Sequence, residues 1–285
     1  MNSNIILLAE TGSDITPELA SRWGIYLVPM HVNMGERMLD DGAFPVEDIL
    51  AYYDKTGKVP KTCASSPEDF AKVFDEIHQK HPDKHILHLA YSAVTTCTFQ
   101  NALLAAEDRD YVTSFDTRHA SMGQAAVVVS VARYLQENPS ATLEETLAVA
   151  EEAATNVHMC FIPDNLDYLR AGGRVSNAVA IAGNLLSLHP CIDMVEGKLV
   201  AIKKYRGSFL RVVPKLMEDY VEKYNLKRES ICLIYSIGLA QEVRDLAEST
   251  ARSLGFKEIN WMRTGGVITC HGGPKAFGIV GKSQV

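Results

Sequence analysis

The stretch Leu166-Asp-Tyr-Leu-Arg-Ala-Gly-Gly-Arg-Val-Ser176 sets two arginines, Arg170 and Arg174, on either side of the pair Gly172-Gly173. Guanidinium forks suit carboxylate and phosphate oxygens, and a glycine pair lets the backbone turn sharply and lie open to a ligand or partner. The segment therefore reads as an anion-handling arrangement. Read alone, it fits equally well a helix capped by glycine and flanked by solvated arginines. Other polar groups stand where strands end and helices begin: Glu10-Thr-Gly-Ser-Asp14, Thr62-Cys-Ala-Ser-Ser66, Ser92-Ala-Val-Thr-Thr-Cys-Thr98 and Cys270-His271-Gly-Gly-Pro274. Each offers hydroxyls, free amides or an imidazole, and helix N-termini favour anions. The simpler reading of each Ser and Thr is a helix cap, and Asp14 and Asp116 also read as capping residues. His271 reads equally as a site residue or a turn residue.

Other chemistries find little support. There is no Gly-x-Ser-x-Gly elbow, no phosphate loop, and no Gly-x-Gly-x-x-Gly after the first strand. The six cysteines (63, 97, 160, 191, 232, 270) stand singly, with no Cys-x-x-Cys spacing for zinc or redox work, and read as small packing residues. His78 with His81, and His85 with His88, are close in sequence but fit surface or packing roles better than a metal site. The net charge of −7 and a pI near 5.7 argue against nucleic acid as a main partner. Ile5–Ala9 is too short to span a bilayer, so stable membrane insertion is not expected and the cytoplasm is the expected location.

These groups need a scaffold. With 285 residues, 47% hydrophobic and 22% charged, the chain suits two globular domains. Strands are expected at 4–9, 25–32, 85–90 and 111–115, alternating with helices at 16–23, 46–56, 66–79, 98–108, 122–137 and 142–157. Such alternation indicates a mostly parallel sheet flanked by helices. The boundary is placed at 157, giving an N-terminal α/β domain over 1–157 and a C-terminal α/β domain over 158–285. The second half reads as a mixed sheet. Strands are expected at 158–162, 230–236, 258–262 and 266–270, a hairpin at 192–202 turns at Glu196-Gly197, and helices fall at 208–224 (with Pro214 as a kink) and 241–254.

Taken in order, the segments resemble the DegV family of fatty acid-binding proteins. Glu10-Thr-Gly-Ser-Asp14 is similar to Asp-Ser-x-x-Asp. Thr62-Cys-Ala-Ser-Ser-Pro67 is similar to Thr-Ser-x-Pro-Ser-Pro. The segments 92–102 and 116–123 resemble Ser-Ser-x-Leu-Ser-Gly-Thr-Tyr-x-x-Ala and Asp-Ser-x-x-Ala-Ser-x-Gly. Leu169–Ser176 resembles Leu-x-x-Gly-Gly-Arg-Ile-Ser, and Lys204–Gly207 and His271–Pro274 complete the series. The resemblance implies two α/β domains of the DegV-like (EDD) fold with a single long-chain fatty acid, such as palmitate or oleate, in a tunnel between them. It implies no cofactor and no catalysis of the protein's own. The carboxylate would be held by Thr62, by Ser92, Thr95 or Thr96, and by His271 with Gly272. Arg170, Gly172, Gly173, Arg174 and Arg206 would face phosphate or a partner, the catalytic protein of a fatty acid kinase. Ala93 stands where the family has a second serine, so the hydroxyl would come from Ser92, Thr95 or Thr96. Glu10 replaces Asp, Cys63 replaces Ser, Cys97 and Lys275 replace Gly.

A sixteen-carbon tail gains about 12 kcal/mol on burial, against roughly 4–15 kcal/mol for association; micromolar to nanomolar binding is physically reasonable. The small and apolar residues 178–188 are candidates for the tail lining, or else a plain core helix. The alternative function is a small-molecule hydrolase or transferase using His271 and a hydroxyl of the Ser92–Thr98 turn. It lacks an evident third orienting group.

Overall fold

The computed structural model describes residues 3–164, 166–175 and 188–284. The chain divides into two compact units, one made of Met1–Phe44 and Thr62–Thr155, the other of Pro45–Lys61 and Asn156–Val285. The excursion Pro45–Lys61, which lies inside the span 1–157 in the sequence reading, thus clusters with the second unit.

The first unit is built on a four-stranded sheet of β1 (Ile5–Glu10), β2 (Ile25–Val28), β6 (His85–Ala90) and β7 (Val112–Asp116), ordered β2-β1-β6-β7 and parallel throughout. Every residue of β1 is buried, as expected for a strand covered on both faces. Helices α3 (Pro67–Lys80) and α4 (Thr98–Ala106) cover one face, where Phe70, Phe74, Ile77 and Ala102 pack with Ile6, Leu8 and Ile86. Helices α1 (Pro17–Trp23), α5 (Ser121–Glu137) and α6 (Leu143–Asn156) complete the covering elements. Local chemistry sets the helix starts. Thr16 caps α1 ahead of Pro17, and Ser66 with Asp69 forms a capping box on α3, which satisfies two amides reciprocally.

The expected strand 25–32 is broken. Pro29 has no N–H for a ladder, and the chain turns there into a second, three-stranded sheet of β4 (Arg37–Asp40), β3 (His31–Met34) and β5 (Lys61–Cys63).

The second unit contains a six-stranded mixed sheet, ordered β10-β9-β8-β13-β11-β12, of β8 (Val157–Ile162), β9 (Leu188–Val195), β10 (Lys198–Arg206), β11 (Ser230–Tyr235), β12 (Glu258–Arg263) and β13 (Phe277–Lys282). Only β11 and β12 pair in parallel; the other four pairings are antiparallel. The hairpin turn has φ 49° at Glu196 and 76° at Gly197, two left-handed residues that match the strand twist. Helices α8 (Phe209–Lys223) and α9 (Gln241–Ser253) bury Val213, Leu216, Met217 and Ala247 against Leu233, Phe277 and Ile279. Helices α2 (Glu47–Thr56), α7 (Asp167–Gly172) and α10 (Gly266–Gly272) also belong to this unit.

Residues 266–270, read as a strand, are helical. Val267, Ile268 and Thr269 favour strands by side-chain shape, but Thr269 accepts the amide of Gly273 at its carbonyl at 2.9 Å, and its hydroxyl meets that of Thr264 at 2.9 Å. Packing of this turn on α7 overrides the local preference.

Candidate functional site

In the first unit the chain leaves β1 toward β2 on one side and returns to β6 and β7 on the other. The carboxyl ends of β1 and β6 therefore flank a topological switch point, where open parallel sheets bind ligands. After β1 come the short turn Thr11–Ser13 and Asp14. After β6 comes the loop Tyr91–Cys97, which carries Ser92, Thr95 and Thr96. Ser92 is fully buried. Its amide donates to the His119 carbonyl at 2.8 Å, and its carbonyl accepts the Thr95 amide at 3.1 Å and the Thr95 hydroxyl at 3.0 Å. The Thr96 hydroxyl lies 2.9 Å from that of Thr98. Thr62 is half-buried on β5. Asn101 of α4 donates to the Ser65 carbonyl at 2.8 Å, and the Ser65 hydroxyl donates to the Pro29 carbonyl at 2.7 Å. These bonds tie Ser65 to α4, the helix that follows the Ser92–Thr98 segment, and to Pro29, just past the end of β2. Asp116, expected as a cap, accepts the amides of Ala93 at 3.2 Å and Arg118 at 2.8 Å. Asp14 accepts the Ser121 hydroxyl at 2.5 Å.

Beneath this loop lies a buried polar network. The Glu10 carboxylate is fully buried and meets His88 Nε2 at 3.0 Å, the Tyr91 amide at 3.0 Å and Gln124 Nε2 at 2.6 Å. Burial alone would raise its pKa; the charge of His88 and hydrogen bonds from His88, Gln124 and Tyr91 outweigh it, so the net shift is downward and Glu10 is held ionised. His88 Nδ1 lies 3.0 Å from the Ser114 hydroxyl. Glu10 and Gln124 stand 114 positions apart, and nothing in their local sequence announces the pairing.

In the second unit His271 and Gly272 lie on the last turn of α10, which packs on α7. The imidazole sits directly against Gly172, where a Cβ would approach Nδ1 to 2.4 Å. Burial first, then the charge of Arg174, pushes its pKa down to about 4. His271 is therefore neutral near pH 7. Gly173 takes the left-handed conformation at φ 63° and closes α7 as its C-cap, its amide donating to the Leu169 carbonyl at 3.1 Å. Arg170 and Arg174 are exposed; Arg174 Nη1 donates to the Gly172 carbonyl at 2.7 Å, and Arg170 lies 3.8 Å from Asp167. Val175 bridges Leu199 near the start of β10, whereas Arg206 ends that strand. Seven residues of strand place Arg206 roughly 20 Å along from the Arg174 neighbourhood. The excursion helix α2 closes over α7: Tyr53 and Tyr168 rings lie 5.3 Å apart, Tyr53 donates to Asp167 at 3.3 Å, and Glu47 pairs with Arg263 at 2.8 Å.

Of the residues 178–188 proposed for the tail lining, 178–187 lie outside the described residues, and Leu188 begins β9. Two hollows of the second unit, about 380 and 420 Å³, are lined by none of the expected ligand residues. Among the described residues no group of three or more His, Cys, Asp or Glu could hold a metal ion, and no helix is long and apolar enough to cross a membrane. The six cysteines are not joined in disulfides. Cys160, Cys191 and Cys270 are buried; Cys63 and Cys97 are exposed rather than packed.

A protein of Thermotoga maritima described as a fatty acid-binding protein is 29% identical over 283 residues, covering 95% of each chain. Among solved structures, a Thermus thermophilus protein described as a fatty acid-binding DegV family protein superposes with a TM-score of 0.88 at 27% identity, covering 98% of this chain and 99% of the other. A Thermotoga maritima structure described as a DegV lipid-binding protein gives 0.83 at 26% identity, covering 98% of each. The family described as "Uncharacterised protein, DegV family" matches residues 4–283, and the chain belongs to that family.

Proposed function

We propose that this protein binds one long-chain fatty acid, such as palmitate or oleate, and carries it without catalysing a reaction of its own. The observation that carries this reading is the full-length likeness to proteins described as fatty acid-binding, at 27–29% identity. The site chemistry supports it. Ser92 offers a hydroxyl at the carboxyl edge of the parallel sheet and Thr62 one on the three-stranded sheet of the same unit, and in the other unit neutral His271 offers an imidazole donor at the end of α10, beside Gly272. Hydroxyl and imidazole donors to a carboxylate make short, charge-assisted bonds. The resemblance implies an interdomain tunnel for the tail.

The hydrolase or transferase reading is weaker on the same chemistry. A general base works best with a pKa near the operating pH, and His271 lies at about 4. The Thr95 proton is spent on the Ser92 carbonyl.

The finer proposal is that the bound carboxylate is presented to the catalytic protein of a fatty acid kinase for acyl-phosphate formation, with Arg170, Gly172, Gly173 and Arg174 on one part of the meeting surface and Arg206 on another. The exposure of Arg170, Gly173, Arg174 and Arg206 and the affinity of guanidinium for phosphate support it.

Native mass spectrometry of the purified protein, followed by lipid extraction, tests the binding reading. A co-purifying fatty acid near one per chain is expected. Protein that arrives empty and stays empty in added palmitate or oleate would overturn it.

A further inference from the structure

The amides on both sides of Ser92 end on carboxylates. Tyr91 N donates to Glu10 Oε2 at 3.0 Å and Ala93 N to Asp116 Oδ1 at 3.2 Å, while the amide of Ser92 donates to the His119 carbonyl at 2.8 Å. Three consecutive N–H groups of a loop are thus held by acceptors from three other positions in the chain. The acceptors are fixed in turn. Glu10 is clamped by His88 and Gln124. Asp116 also takes the Arg118 amide.

Glu10 is fully buried and Asp116 half-buried; a carboxylate withdrawn from water is costly unless it is paired and hydrogen-bonded, and a capping or core role would not call for one at each neighbour of a single serine. The two peptide planes that meet at the Ser92 Cα carry its own amide, held by the His119 carbonyl, and the Ala93 amide, held by Asp116. Together they fix φ and ψ of Ser92 and the direction of its Cα–Cβ bond; Glu10 holds the Tyr91 amide one plane earlier and anchors the start of the loop. Hydrogen bonds weaken steeply when the donor angle departs from linear, and a bond to an ionised acceptor has the most to lose.

Resting on the reading of Ser92 as a head-group contact, we propose that Glu10 and Asp116 are positioning residues. They aim the Ser92 hydroxyl so that the site prefers a carboxylate over a neutral head group of the same tail length. Glu10, where the family has Asp, has the extra methylene that lets one carboxylate meet Tyr91, His88 and Gln124 at once.

The test is the ratio of affinities for palmitate and hexadecanol, measured on folded protein of wild type, Glu10→Asp, Glu10→Gln, Asp116→Ala and Asp116→Asn. Glu10→Asp and Asp116→Ala should each lower palmitate affinity about tenfold and leave hexadecanol nearly unchanged. Glu10→Gln and Asp116→Asn keep an acceptor oxygen in place and should restore most of the preference. Parallel loss of both ligands, or a ratio that none of the variants moves, overturns the positioning role while leaving fatty acid binding intact. If Glu10→Asp does not fold, the partly exposed Asp116 pair decides alone. A wild type that takes up neither lipid overturns the binding reading and this inference together.

Discussion

The Nδ1 of His271 stands where a side chain on Gly172 would collide with it, 2.4 Å from the nearest Cβ position. This contact joins the two glycine-rich motifs of the second unit, one ending α7 and the other ending α10. Gly172→Ala must shift the ring or the helix, and crowding of this kind costs about 1–3 kcal/mol. The denaturant midpoint should fall, and palmitate affinity with it, because His271 is displaced. Gly173→Ala has nothing within 4 Å of its Cβ; its cost, about 1–2 kcal/mol, comes from the left-handed backbone alone.

His271 also sets an acid limit. Its folded pKa, about 4, lies below the ordinary histidine value, so the unfolded chain takes up the proton first. The stability this group supplies is complete above about pH 6.5 and is lost as pH falls from there toward 4. Urea midpoints measured from pH 7.5 to 4.5 should fall on the acid side, and His271→Gln should flatten that part of the profile.

His31 works in the opposite direction. Its two ring nitrogens meet Asp40 and Asp69 at 2.9 Å each, and a neutral imidazole could donate to only one of them. Burial would lower its pKa, but hydrogen bonds and charge from Asp69 and Asp40 prevail and raise it. The stability it supplies is complete below its unfolded pKa and is lost as pH rises through the raised folded value. Asp69, whose own pKa these contacts lower against burial, stays ionised across that window. Wild type should lose stability as pH rises above the ordinary histidine value of about 6.5, and His31→Asn should lose this dependence.

Asp193 is the buried anchor of the second unit, accepting from Tyr220 at 2.7 Å, Tyr224 at 2.5 Å and Lys223 at 3.1 Å. Asp193→Ala leaves a buried tyrosine hydroxyl without this acceptor and should cost about 3 kcal/mol. Asp193→Asn, which keeps an acceptor oxygen, should cost less. Chemical denaturation with an unchanged slope checks both.

Arg174 and Arg206 should act independently, since Arg206 ends β10 while Arg174 adjoins Val175, which bridges Leu199 near that strand's start. In an acyl-phosphate assay with a fatty acid kinase, each Arg→Ala change should reduce turnover while palmitate binding persists. The double variant should be additive within about 0.5 kcal/mol. Strong coupling would show that the two arginines share one contact.

Much of the scaffold was readable because it obeys local rules. The apolar run of β1, the Thr16-Pro17 start of α1 and the turn at Glu196-Gly197 each carry a mechanism in two or three residues. Gly173 met the plain expectation of a helix C-cap, with Arg170 and Arg174 exposed beside it. Three features escaped. Pro29 breaks a run whose apolar pattern continues through it. The β-branched 266–270 segment is held helical by contacts with Thr264 and α7, which local sequence does not record. Glu10 looked like a loop residue, yet its partners His88 and Gln124 come from distant segments, and only the folded sheet brings them to it.

The central claim is that this chain holds a fatty acid by its carboxylate. Calorimetric titration of delipidated protein with palmitate tests it most directly, beside Ser92→Ala and His271→Ala. The account predicts binding of one palmitate per chain at micromolar affinity or tighter, weakened but not abolished in either variant. No heat and no uptake by the wild type, or affinity unchanged in both variants, would contradict it.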